Sequence, residues 1–102
     1  MAFEIIWTRQ AEKDYDKIIN YIAENWGDKE IRDFIGETER FFEILSHHPE
    51  ILQRSANHES VYRGPINRLT ILIYRVKPLK KQIVLIRVRG ARQKPLKRYP
   101  PL

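Results

Sequence analysis

Arginines are the residues of this chain whose number and spacing could do chemistry, and they are densest near the C-terminal end. Residues 85–102 read LIRVRGARQKPLKRYPPL, in which an apolar run gives way to alternating bases. In a strand, Arg87 and Arg89 would lie on one face about 7 Å apart, near the spacing of backbone phosphates. A guanidinium matches phosphate and carboxylate oxygens with paired donors. The pattern predicts a site for an anionic target.

Charge is divided unevenly along the chain. Residues 1–50 contain 12 acidic and 6 basic residues, whereas residues 51–102 contain 1 acidic residue, Glu59, and 13 basic ones. The two halves therefore carry about −6 and +12 within a net charge of +6. This asymmetry favours a polyanion or an acidic protein as the partner of the second half, although a basic solvated face is the simpler alternative.

Composition excludes several classes of protein. The chain has 102 residues, of which 42% are hydrophobic and none is cysteine, so a disulfide scaffold and a thiolate metal site are ruled out. The three histidines lack metal-ligand spacing, and we expect neither a metal nor a cofactor. The sequence shows no long apolar run and no signal peptide, so we expect a cytoplasmic protein that does not enter membranes.

The order of apolar patterns predicts an α+β fold. FEIIWT is a short strand, and two helical stripes follow it, separated by Gly27 with Asp28 as the second N-cap. The segments ESVYR, RLTILIYRV and QIVLIRVRG predict a three-stranded antiparallel meander, joined by hairpins at GPIN and KPLKK. We expect one domain over residues 1–102, with the helices packed on one face of the sheet and 91–102 forming a basic, proline-containing tail.

Strand alternation predicts which side chains gather on the open face of that sheet. Val84, Ile86 and Val88 would face the helices, which leaves the odd-numbered residues of the last strand on the other side. Glu59, placed opposite Leu72, would be a counter-ion or a general base. Pairing across both hairpins then collects a basic corner, which consists of Arg63, Arg68, Arg87 and Arg89. The tail leaves from the same end with Arg92 and Lys94, and it carries Tyr99, a side chain able to stack on a base.

The same open face is predicted to carry apolar side chains farther from the basic corner. These are Leu72, Tyr74, Ile83 and Leu85. A three-stranded sheet with two helices has nothing left to cover them, which indicates a protein partner that docks on the sheet. The alternative is that the C-terminal tail folds back over the patch.

Taken in order, three segments give the chain a family resemblance: WTRQAEKDYDKIINYIAENW, YRGPINRLTILIYRV and IVLIRVRGARQKP. The chain resembles the RelE/ParE superfamily of toxins from bacterial type II toxin–antitoxin modules. The resemblance implies a cytoplasmic growth inhibitor that a small antitoxin holds inactive in a hetero-oligomer. RelE-like members cleave mRNA on the ribosome without metal, whereas ParE-like members poison DNA gyrase.

The resemblance also implies roles for individual residues. By position, Arg63 and either Arg87 or Arg89 match the cationic catalytic residues of RelE-like toxins, and Glu59 would then be the base for attack by a 2′-hydroxyl. However, no histidine lies near the last strand, and the second helix is rich in acids rather than lysines. The resemblance therefore favours a gyrase-directed toxin, with an mRNA endonuclease second and a non-toxic basic nucleic-acid-binding protein as the remaining alternative.

Overall fold

The fold combines two helices with a five-stranded sheet. The structure, a computed structural model, describes residues 2–90, so the predicted tail at 91–102 lies outside the described residues. In these residues no helix is long and apolar enough to cross a membrane. The elements in chain order are β1 (Glu4–Trp7), α1 (Arg9–Asn25), α2 (Asp28–His47), β2 (Gln53–Arg54), β3 (Val61–Asn67), β4 (Thr70–Lys77), a 3-10 turn (Pro78–Lys80) and β5 (Gln82–Gly90).

The predicted meander is confirmed and forms the centre of the sheet. Strands follow the order β1-β5-β4-β3-β2, and the β3–β4 and β4–β5 pairs are antiparallel. β1 is parallel to β5, with Trp7 opposite Leu85, and two-residue β2 extends the other edge by pairing with β3. A parallel pair needs a crossover connection, and the two helices supply part of it.

The core lies between the helices and one face of the sheet. The predicted apolar stripes contribute Ile18 and Ile22 from α1 and Phe34 and Leu45 from α2, all of which are buried. Trp26, the last apolar residue of the α1 stripe, is not part of this core, because 46% of its surface remains exposed. It lies at the C-cap of α1, directly after the last helical residue, Asn25.

Thr8 joins the end of β1 to the start of α1. Its Oγ1 accepts a hydrogen bond of 3.1 Å from the Ala11 amide, which has no partner within the helix. The same hydroxyl donates to the Leu85 carbonyl at 2.7 Å. At the start of α2 the N-cap is Gly27 rather than the predicted Asp28, and Glu30 Oε1 accepts from the Gly27 amide at 3.1 Å.

Replacing Thr8 with alanine should lower the free energy of unfolding by about 1–2 kcal/mol, because both hydrogen bonds are lost. Urea unfolding followed by circular dichroism measures the change. Thr8→Ser keeps the hydroxyl and is the matched control. Equal losses in the two variants would show that the methyl group, rather than the cap, stabilises this junction.

Candidate target-binding face

A β-bulge in β5 decides which of its side chains meet the helices. Tyr74 pairs with Leu85 but its neighbour Ile73 pairs with Arg87, so Ile86 has no partner in β4. An extra residue in one strand shifts the alternation of every side chain beyond it. Ile83 and Leu85 before the bulge and Val88 after it are all buried. The prediction that Ile83 and Leu85 face outward was therefore wrong.

The predicted apolar docking patch is part of the core. Leu72, Tyr74, Ile83 and Leu85 each have no exposed surface. The Tyr74 hydroxyl donates to the Pro49 carbonyl at 2.7 Å, and burial raises the pKa of this phenol to about 12. These four residues hold the sheet against the helices, and an open apolar patch built from them does not exist.

Arg87 is held by a buried carboxylate that the sequence reading missed. Its Nε donates to Asp14 Oδ2 at 2.8 Å and its Nη2 donates to Oδ1 at 3.3 Å. The backbone amide of Val88 donates to the same carboxylate at 3.0 Å, and Gln10 donates at 2.8 Å. The Asp14 side chain is 5% exposed, whereas that of Arg87 is 41% exposed. The guanidinium therefore lies at the edge of the sheet with part of its surface in water.

Asp14 occupies the place that a strand partner would otherwise take. β1 ends opposite Leu85, so β5 continues past the last residue of its parallel neighbour. The carboxylate satisfies the Val88 amide there. Burial opposes its ionisation, but the hydrogen bonds from Arg87, Gln10 and Val88 outweigh burial and lower the pKa of Asp14 below its ordinary 3.8. The sequence did contain a signal for this contact. Asp14 lies within an apolar helical stripe, three residues after Ala11 and four before Ile18, where a carboxylate needs a buried partner.

The predicted hairpin at GPIN is also displaced. β3 runs through Gly64, Pro65 and Ile66 to Asn67, which pairs with Thr70, so the turn consists of Arg68 and Leu69. Pro65 is tolerated because β2 pairs only with Tyr62 and Arg63, which leaves the outer side of β3 free at Pro65.

The corrected register places the predicted site residues differently. Arg63 and Arg87 both pair with Ile73, and Arg89 pairs with Ile71 in the next row. Ile71 and Ile73 alternate with the buried Leu72 and Tyr74, so their partners Arg63, Arg87 and Arg89 start on the sheet face opposite the helices, because paired residues share a face. From there the guanidinium of Arg87 bonds to Asp14 of α1, beyond the end of β1. Glu59 is not brought to this group. It is exposed, precedes β3 and has no strand partner, and Gly64 takes its predicted place opposite Leu72.

Three arginines line one open groove of about 740 Å³, here called the basic groove. They are Arg54 from β2, Arg63 from β3 and Arg68 from the β3–β4 turn. Gln53 and Asn57 add polar groups, and none of the described residues that line the groove is acidic. Within residues 2–90 none of the three guanidiniums forms an ion pair. Arg54 had not been predicted, because the two-residue strand that places it has no periodic pattern.

The chemistry available on this face is anion binding. Guanidiniums held without carboxylate partners attract phosphate or carboxylate groups and repel one another until such a group arrives. In the described part of the chain no cluster of histidine and acidic residues could hold a metal ion. Arg92, Lys94 and Tyr99, which the sequence also assigned to this site, lie outside the described residues.

Two solved structures from toxin–antitoxin systems share this fold. The chain aligns with a chromosomal ParDE system from P. aeruginosa at a TM-score of 0.69 and 20% identity, covering 87% of this chain and 96% of that one. It aligns with the RelBE2 toxin–antitoxin complex from Mycobacterium tuberculosis at a TM-score of 0.60 and 17% identity, covering 88% and 99%. At these identities the likeness concerns the fold, and it confirms the predicted α+β arrangement.

Sequence comparison identifies the family. Toxin ParE1 of Caulobacter vibrioides is 29% identical over 69 residues, which cover 68% of this chain and 72% of that protein. The family described as the ParE toxin of the type II toxin–antitoxin system, parDE, matches residues 5–95. That match includes all the strands of the sheet but the first residue of β1, as well as both helices. The predicted superfamily is thereby confirmed, and the chain belongs to the ParE toxins of type II toxin–antitoxin systems.

Proposed function

We propose that this toxin inhibits DNA gyrase and that a cognate antitoxin protein holds it inactive. The match of residues 5–95 to the ParE family is the observation that carries the proposal. Two solved relatives are described as a ParDE system and a RelBE2 complex, which supports an antitoxin as the partner. Action on gyrase would place the protein in the cytoplasm.

The geometry of the arginines supports gyrase inhibition over RNA cleavage. Cleavage would need a base beside the cations, and Glu59 is an exposed residue outside the pairing that brings Arg63 and Arg87 to one row. Arg87 would also have to stabilise a phosphorane while Asp14 holds two of its nitrogens. Binding to a protein target requires neither a base beside the arginines nor an Arg87 that is free of Asp14. We assign target contact to the basic groove and Arg89.

Induced expression of the chain in bacteria tests the proposal. We expect growth arrest with filamentous cells and an SOS response, and inhibition of purified gyrase in a supercoiling assay. Rapid cleavage of transcripts without SOS induction would instead identify an mRNA endonuclease, and unimpaired growth would identify a non-toxic binding protein. Either result would overturn the proposal.

Reversing two charges of the basic groove should weaken gyrase inhibition. Arg63→Glu with Arg68→Glu places acids where we expect an anionic surface of the target, so the concentration needed for half inhibition should rise about tenfold or more. Arg32→Glu with Arg40→Glu makes the same change on exposed positions of α2 and is the matched control. Equal effects of both pairs would mean that net charge, rather than this groove, governs inhibition.

Glu59→Gln separates the two toxin mechanisms. Because the variant keeps size and polarity at an exposed position, gyrase inhibition should stay within about twofold of the wild type. Loss of toxicity in this variant would support Glu59 as the general base of a nuclease.

A further inference from the structure

A second groove, on the helical side of the β3–β4 turn, has the opposite charge. It has a volume of about 380 Å³ and is floored by Ile22 and Phe34. One wall is formed by α2 through Glu30, Asp33 and Glu37, which follow one another at spacings of three and four and so share one face of the helix. We call this the acidic groove.

The carboxylates of the acidic groove are largely available to a partner. Asp33 accepts from Lys29 at 2.9 Å, but both side chains are well exposed and such a pair contributes little. Glu30 accepts one hydrogen bond from the Gly27 amide, and within residues 2–90 Glu37 forms no ion pair. Trp26 lines the same groove with 46% of its surface exposed. The groove thus offers negative charge beside an uncovered indole.

The chain leaves the described fold beside this groove. The opposite lip of the groove is the β3–β4 turn, through Arg68 and Leu69. The next residue, Thr70, pairs with Gly90, the last residue of β5. Gly90, the last described residue, therefore lies about one strand spacing, roughly 5 Å, from the backbone of Thr70, which directly follows the lip.

The residues after Gly90 have the chemistry that the acidic groove fits. Residues 91–102 contain four bases and no acid, and they include three large apolar side chains that could cover an indole: Leu96, Tyr99 and Leu102. Twelve extended residues reach up to about 40 Å, whereas the acidic wall from residue 30 to residue 37 is about 10 Å long. On the other side of the β3–β4 turn, the basic groove repels the same segment.

We propose that residues 91–102 dock in the acidic groove of their own chain. Their bases pair with the carboxylates of α2, and their apolar side chains cover Trp26. Docking holds Arg92, Lys94 and Tyr99 on the helical side of the molecule, away from the basic groove, until a partner or high salt releases them. The toxin thereby keeps its most basic segment off its own anion-binding face.

Paramagnetic broadening in the full-length protein tests this proposal, because the chain contains no cysteine and accepts a single introduced one. A spin label on Pro101→Cys changes no charged residue of the segment. In isotope-labelled protein at low salt, the Trp26 indole signal and the amide signals of Asp33 and Glu37 should lose most of their intensity. Salt at about 0.5 M should restore them, because it screens the pairing.

Charge reversal distinguishes docking from mere tethering near the groove. Asp33→Lys with Glu37→Lys should restore the Trp26 signal, as should Lys94→Glu with Lys97→Glu in a chain whose helices are unchanged. Glu12→Lys with Asp16→Lys, at exposed positions of α1, is the matched control and should leave the broadening intact.

Three outcomes would overturn the proposal, none of which depends on gyrase. Broadening that persists in both charge-reversed variants would mean that the segment is only tethered nearby. Broadening centred on Arg54 and Arg63 would place it in the basic groove. Broadening that appears only when spin-labelled and isotope-labelled chains are mixed would assign the acidic groove to the segment of a second copy.

Discussion

Asp14→Ala should lower the free energy of unfolding by about 2–3 kcal/mol. The substitution leaves the buried Val88 amide without its acceptor and removes both hydrogen bonds to Arg87. Breaking a buried ion pair costs about 3–5 kcal/mol. We expect a loss at the lower end of this range or slightly below it, because the Arg87 side chain is 41% exposed and water can replace its hydrogen bonds to Asp14. Urea unfolding at neutral pH measures the loss.

The same carboxylate should make stability depend on acid. Although burial opposes its ionisation, its hydrogen bonds to Arg87, Gln10 and Val88 lower the pKa of Asp14 in the folded state. Its contribution is therefore fully present above its ordinary pKa of 3.8 and is lost as the pH falls through the lower folded value. The difference in unfolding free energy between wild type and Asp14→Asn should shrink below about pH 4.

Two controls test whether the loss of stability comes from the Asp14 carboxylate and its pairing with Arg87. Asp16→Ala removes an exposed carboxylate from the same helix and should change stability by less than about 0.5 kcal/mol. A double-mutant cycle with Arg87→Met isolates the pair, and its coupling energy should be about 1 kcal/mol or more. A coupling near zero would mean that Asp14 acts only through the Val88 amide.

Leu85→Ala should destabilise the protein by about 3–4 kcal/mol, the largest effect that we expect from a single substitution. Leu85 has no exposed surface and lies in the core between β5 and the helices. Truncating a buried leucine removes its transfer free energy and leaves a cavity, which together cost about 2–5 kcal/mol. Thermal and urea unfolding measure the change.

Leu79→Ala is the matched control for that truncation. Leu79 lies in the 3-10 turn and is 100% exposed, so its removal should change stability by less than about 0.5 kcal/mol. If Leu85→Ala were as stable as the wild type, the burial of Leu85 would be contradicted. Leu85 would then again be a candidate for an exposed residue that contacts a docking partner.

The sequence by itself determined both helices and four of the five strands, in their order. Apolar spacing of three and four placed both helices, and alternation with turn residues between the strands placed β3, β4 and β5 to within a few residues. These signals are local, since they reflect which side of each element is buried. The quoted segments also carried the family resemblance that the match of residues 5–95 confirms.

Only the tertiary structure decided which face of the sheet each side chain of β5 occupies. One extra residue at Ile86 reverses the alternation, and a bulge of this kind leaves no signal in the pattern that it interrupts. The carboxylate that holds Arg87 lies 73 residues away in the chain. Arg54, Arg63 and Arg68 line one groove because β2 pairs with the first half of β3, and β3 then continues to the turn that carries Arg68. Strand register and long-range contacts depend on how the whole chain packs, so the sequence of a single segment cannot predict them.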